Sequence, residues 1–224
     1  MGVLERRVKE RELRRAAILD AARKVFLEVG IEQASMDRIA TEAELAKGTL
    51  YIYFPGKNQL ILAIMADHIE QLNALLSDIT QSRLSPQNKL IKGVDVFHNF
   101  TAENELFYRV MTHVNIREMC ECGIAEGAES PDIIRFRMLN SETFTLICSI
   151  FQQGIDKGVF KPSLNVQQTV GVFMVALKGS MVVLTNGMLP PDFALPPTRD
   201  VLHSLTSILI GGIEQHVSSK PTST

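Results

Sequence analysis

The sequence predicts an all-α protein in two parts: an N-terminal three-helix, helix-turn-helix domain and a C-terminal helical domain. Three observations carry that prediction. Apolar residues recur at helical spacing along almost the whole 224-residue chain. Prolines are absent before Pro55, and the later ones, at 86, 131, 162, 190–191, 196–197 and 221, open or separate helices rather than interrupt them. No alternating run is bounded by hairpin turns, and nothing repeats at a fixed period.

Taken in order, the first helix is marked by Ile18, Ala21, Ala22, Val25, Phe26 and Val29. They stand at i, i+3, i+4, i+7, i+8 and i+11, one face of a helix that Gly30 terminates. Ser35 is placed to cap a second, short helix with Asp37 in its first turn and Met36, Ile39, Ala40 and Ala43 on its buried face. A third, about Ala46–Tyr53, stops at Pro55-Gly56. The fourth runs from about Lys57 towards Leu76, with Leu60, Ile64, Met65, Ile69, Leu72 and Leu76 on one side. Ser85-Pro86 and Ser130-Pro131 are cap-plus-first-turn pairs, and Asn165 is a further cap. They open helices at about 86–99, 131–157 and 165–187, with others at about 103–119 and 198–217.

Composition narrows the function class. Hydrophobic residues make up 46% and charged residues 21%, which excludes disordered and collagenous chains. Three cysteines, an odd number, argue against a disulfide framework and for a reducing compartment. The charged segment Met1–Arg15 lacks the apolar run of a secretory signal. The most apolar stretch, Val170–Leu184, is broken by Lys178 and is shorter than the roughly 20 residues of a membrane span, so it reads as a buried helix. The expectation is a cytoplasmic protein with no membrane partner. Residues 1–60 carry 11 basic and 9 acidic side chains, whereas residues 61–224 carry 12 and 16. A basic head on an acidic body suits a polyanion at the head, although Glu5, Glu10 and Glu12 among Arg6, Arg7, Lys9, Arg11, Arg14 and Arg15 equally describe a solvated helix face.

Two short helices joined by Ala43-Glu44-Leu45 after a longer one make a helix-turn-helix. The candidate recognition helix suits a DNA groove. Lys47 and Lys57 supply charge for phosphates, and Thr49, Tyr51 and Tyr53 supply hydroxyls. Gly48 lets the backbone approach closely, at a helix-propensity cost of roughly 1 kcal/mol. Leu50 and Phe54 belong to the core.

With these residues in place, Ile18–Met65 resembles the DNA-binding domain of TetR-family transcriptional regulators. The likeness is densest in IATEAELAKGTLYIYFPGKNQL, above all in KGTLY-x-YF with Lys57 just beyond it. Gly154–Phe160, GIDKGVF, is a weaker echo of the same family. The resemblance implies DNA contacts at Ser35, Ala46, Lys47, Thr49, Tyr51, Tyr53 and Lys57, with Gly48 at the closest approach. It also implies base choice at Ile52, which can pack on a thymine methyl but cannot hydrogen-bond a base edge. Two residues depart from the family pattern: Glu44 stands where many members have Gly, and Ala46 where many have a capping Ser. Losing a cap hydroxyl costs about 1 kcal/mol.

The remaining chain is expected to hold an effector and a second copy. Candidate ligand-lining residues are Phe107, Met111, Phe144, Phe151, Phe173 and Met174, although each alone fits ordinary core packing. Arg109, His113, Arg117 and Lys178 stand ready to orient a polar group or to be satisfied locally. An apolar or amphipathic small molecule is the effector class. Candidate dimer residues are Val170, Met174, Leu177, Met181, Leu205, Ile208, Leu209 and Ile213, with Gly171, Gly179, Gly211 and Gly212 allowing close helix approach.

Cys120-x-Cys122 with His113 lacks the spacing and second ligand pair of a zinc site, and no cofactor is expected. No phosphate loop, nucleophile elbow or zincin motif is present, so no enzymatic activity is expected. The resulting assignment is a helix-turn-helix domain at 1–60, an effector and dimerisation domain at 61–218, and a flexible tail at 219–224. Together they form a homodimeric repressor released by its effector from a palindromic operator, with the fourth helix coupling the two domains. The alternative is a helical ligand-carrying or protein-interaction module that does not read DNA.

Overall fold

The computed structural model describes residues 2–124, 130–186, 190, 192 and 194–214. Along these residues run helices α1 (Val3–Val29), α2 (Met36–Glu42), α3 (Lys47–Tyr53), α4 (Lys57–Gln81) and α5 (Pro86–Glu103). They continue with α6 (Glu105–His113), α7 (Ile116–Ile124), α8 (Pro131–Asp156), α9 (Val166–Thr185) and α10 (Thr198–Ile213). No strand occurs among the described residues; an isolated antiparallel bridge joins Phe160 to Glu214. The chain is all-α.

The caps explain most boundaries. Gly30 ends α1 with φ +83°, a left-handed value that glycine adopts without strain, and its N–H closes on Phe26 at 3.0 Å. Hydroxyls of Ser35, Ser85 and Ser130 accept from the N–H three residues on, at 3.2, 3.3 and 3.4 Å. Asn165 Oδ1 does the same for Gln168 at 3.0 Å.

Two compact units share the chain: Met1–Gln71 with Asn104–Asn140, and Leu72–Glu103 with Ser141–Thr224. Their boundaries fall inside α4 and α8. In the first unit the predicted face of α1 is the core: Ile18, Ala22, Val25 and Phe26 are fully buried, with Ile39, Leu50, Phe54 and Leu60. Burying each large side chain contributes about 1.5–3 kcal/mol. In the second unit Phe151 lies 5.8 Å, ring centre to ring centre, from both Phe160 and Phe173. Gly154 makes room for this cluster, because a Cβ there would stand 2.1 Å from the Phe160 ring.

The structure departs from the sequence expectation in several places. The single helix expected at 103–119 is two, α6 and α7, separated where Val114 turns extended and Asn115 Oδ1 caps the Glu118 N–H at 3.3 Å. Because α7 reaches Ile124, Cys120-x-Cys122 lies on a helix. The basic head is helical from Val3, and α4 continues past Leu76 to Gln81. The expected tail at 219–224 lies outside the described residues.

Candidate functional site

The helix-turn-helix is built by one hydrophobic anchor and one unusual turn. α2 ends in a pair of nested hydrogen bonds, Glu44 N–H to Thr41 at 3.1 Å and Leu45 N–H to Ala40 at 2.9 Å. That closure places the residue between them in the left-handed region, and the residue is Glu44, with φ +54°. α3 then starts at Ala46, which has no side-chain cap. Leu50 is fully buried and Phe54, where α3 ends, is too. With that face committed to the core, the opposite face is left to solvent: Lys47, Gly48, Tyr51 and Ile52 are exposed, Ile52 at 76%. Ser35 and Ala46 are exposed beside them, while Thr49 and Tyr53 are half-buried.

The two candidate phosphate cations differ. Lys47 Nζ donates to Asp37 at 2.6 Å in an exposed pair. That hydrogen bond, and after it the field of the same carboxylate, raise Lys47 above the ordinary lysine value, so it is fully charged at neutral pH. An exposed pair of this kind is worth little and is readily exchanged for a phosphate. Lys57 instead spends its ammonium hydrogens on the chain itself, donating to the carbonyls of Ile31, Glu32 and Ala34 at 2.7, 3.1 and 3.1 Å. It ties the start of α4 to the α1–α2 loop. Nothing at the level of motif spacing signals that role, since the contact spans 23–26 residues.

The expected ligand residues are divided between the two units. Phe107 is buried in the first unit, its ring 5.7 Å from that of His68, and Met111 is half-buried on the same helix. In the second unit Phe151 and Phe173 line a cavity of about 230 Å³ together with Leu90, Val172, Leu209, Ile210 and Ile213, with Gln168 and Thr169 as its polar wall. Phe144 and Met174 are half-buried and not on that wall. Of the polar candidates, Arg109 is paired with Glu105 at 2.5 Å, and His113 is exposed. Among the described residues no three of His, Cys, Asp and Glu come together as a metal-binding group.

The expected dimer stripe is divided by the fold. Val170, Leu177 and Met181 are buried in their own unit, and Met174, Leu205, Leu209 and Ile213 are half-buried. Only Ile208 of that set points outward, at 72% exposure. The apolar residues that α9 does expose are Val172 at 55% and Val175 at 72%, which the stripe omitted. α9 therefore buries one apolar side in its own chain and leaves another bare.

Residues 18–64 match the family described as bacterial regulatory proteins, tetR family. Over 202 residues the chain is 24% identical to the HTH-type transcriptional regulator SrpR of Pseudomonas putida, covering 89% of this chain and 87% of that one. Two solved structures have similar folds at 18% identity and a TM-score of 0.65. One is the transcriptional regulator FadR of Bacillus subtilis in complex with stearoyl-CoA, matched over 88% of this chain and 98% of that one. The other is FadR of Thermus thermophilus, a TetR-family transcriptional repressor in complex with lauroyl-CoA, matched over 93% and 100%.

Proposed function

The chain belongs to the tetR family of bacterial regulatory proteins, and on that premise we propose that it is a homodimeric repressor released from a palindromic operator by an amphipathic acyl compound. It is a DNA-binding transcriptional regulator. The observation that carries the reading is the divided surface of α3. Leu50 fixes the helix to the core, and Lys47, Gly48, Tyr51 and Ile52 are exposed, with Lys47 paired to Asp37. Lys47, with Ser35, Ala46 and the Thr49, Tyr51 and Tyr53 hydroxyls, positions the helix on phosphates, and Ile52 meets a thymine methyl. Lys57 adds its charge to the same end of the domain while holding the loop. In this assignment residues 1–60 read DNA and residues 61–218 bind effector and partner, acting by binding rather than catalysis.

Two related recognition helices are needed because one reads only a few bases, whereas a two-fold pair reads half-sites roughly 34 Å apart. The exposed apolar residues Val172, Val175 and Ile208 support a second copy on the α9–α10 face, since only 22% of the most apolar stretch of α9 is buried in its own chain. The acyl-CoA complexes of the two FadR proteins support an acyl compound as effector. The cavity that Phe151 and Phe173 line is mostly apolar, the character an acyl chain requires.

Selection of bound duplexes from a random pool at about 150 mM salt tests the reading. One palindromic motif is expected, and stearoyl-CoA is expected to release it. Recovery of no motif above background, with and without stearoyl-CoA, would return the chain to the ligand-carrying alternative.

A further inference from the structure

Three helices of the first unit meet in an alternating row of charges. The Asp67 carboxylate of α4 accepts from Arg23 of α1 on one oxygen at 2.6 Å and from Arg135 of α8 on the other at 2.7 Å. Arg135 reaches Glu70, one turn along α4, with its second terminal nitrogen at 2.6 Å. Three residues before Arg135, Asp132 pairs with Arg15 of α1. Arg15 in turn lies over the ring of Phe54, 4.8 Å from its centre, and Phe54 is the residue at which the recognition helix ends. The row holds three guanidinium groups against Asp67, Glu70 and Asp132, with the exposed Asp20 a fourth carboxylate on Arg23 at 2.7 Å; of the first six, all but Glu70 are half-buried.

Stability alone is a poor reason for this arrangement. Part-buried ion pairs give back much of their attraction in desolvation, and apolar side chains of similar volume hold helices together as well. What such a row does supply is register, because two guanidinium groups on the two oxygens of one carboxylate fit only one relative placement of α1, α4 and α8. The helices it joins are also the telling ones. α4 and α8 are continuous through the boundary between the two units, and α1 carries the core of the reading head.

We propose that Arg135 and Asp132 are positioning residues for operator recognition: through Asp67 and Arg15 they fix the start of α8 to α1 and to the end of the recognition helix, all within the one unit that holds the reading head. The inference rests on the DNA-reading function proposed above. Breaking the row leaves each head able to bind its own half-site and removes the fixed relation that lets two heads engage one duplex together.

The test compares three duplexes: the selected operator, the same duplex with one half-site scrambled, and random sequence. Arg135→Met is expected to weaken operator binding about tenfold while changing half-site and random-duplex binding less than about twofold. Asp132→Asn is expected to act in the same direction. Arg135→Lys should recover part of the loss, since an ammonium cannot hold Asp67 and Glu70 in the bidentate manner of a guanidinium. Helical circular dichroism and the thermal midpoint establish that each variant is folded. Should Arg135→Met fail to fold, Glu70→Gln removes only the outer pair and is expected to cost operator binding about two- to threefold. Equal losses on operator and half-site would make these residues supports of the head's fold, and no loss would make them surface ion pairs; either overturns the proposal. The wild-type protein is read first. If it does not prefer the operator over the half-site duplex, the two-fold reading itself fails and the positioning role falls with it.

Discussion

The N–H of Leu45 closes on the carbonyl of Ala40 at 2.9 Å, completing the turn between the two short helices across a residue, Glu44, held at φ +54°. A side chain in that region is strained by about 1–2 kcal/mol against glycine, which accepts it freely. Glycine returns part of that gain through the greater freedom of its unfolded chain. Glu44→Gly is therefore expected to stabilise the protein by about 0.5–1 kcal/mol and to raise the thermal midpoint by about 1–4 °C for a chain of this length. Calorimetry of the variant checks it, and an unchanged or lowered midpoint would show that the turn carries no strain.

Lys57 and Lys47 look alike in sequence and are expected to respond differently to substitution. Lys57→Met leaves the Ile31, Glu32 and Ala34 carbonyls without their donor, at a cost of about 1–2 kcal/mol by urea unfolding. Lys47→Ala removes only an exposed pair with Asp37, so its stability should stay close to that of the wild type. Its effect belongs to DNA, where the slope of log affinity against log salt should become shallower by about 1 for each phosphate no longer neutralised. A Lys57→Met protein as stable as wild type would remove the loop-holding role.

How much of this is legible in the sequence follows the range of each interaction. Gly30, Ser35 and Pro55-Gly56 act on their immediate neighbours, so the reading head can be laid out residue by residue. The break at Val114–Asn115 is hidden because apolar residues continue at helical spacing across it, although Asn115 with Glu118 three residues on is an available signal. On α9 the apolar period has no preferred side, so spacing does not separate Val170 and Leu177 from Val172 and Val175. The pairing of Arg15 with Asp132 spans 117 residues and leaves no local trace. Lys89 is equally unreadable: a buried lysine whose ammonium donates to the Thr80 carbonyl at 2.6 Å and to Gln153 at 2.7 Å, satisfying the end of α4.

Gly211 separates the needs of one chain from those of two. Among the described residues a Cβ there meets nothing within 4 Å, so Gly211→Ala should stabilise α10 by about 0.5–1 kcal/mol. If a second copy packs closely on the α9–α10 face beside Ile208, the added methyl holds the helices apart and weakens association. Sedimentation over a concentration series is expected to give a weaker dimer for Gly211→Ala, with thermal stability at low concentration equal to wild type or higher. An unchanged dimer would place the interface on another face.

Asp95 gives the fold a defined response to acid. Burial pushes its carboxyl up, but hydrogen bonds from His203 at 2.8 Å and from Arg199 at 2.8 and 2.9 Å outweigh burial and hold it below the ordinary carboxylate range. In the unfolded chain the group titrates near pH 3.9, so the folded state binds that proton more weakly than the unfolded state does. The stability it contributes is therefore complete above about pH 4–5 and is lost as the pH falls through the lowered folded-state value. Asp95→Asn should cost about 1–2 kcal/mol at pH 7, a modest figure because Arg199 is largely exposed. Its α5–α10 contact then loses the charge but keeps one acceptor. Urea unfolding of both proteins at pH 5 and 3 should show the gap narrowed at pH 3. A gap that stays constant to pH 3 would mean that the carboxylate's charge does not contribute, and that shape alone holds α10 to α5.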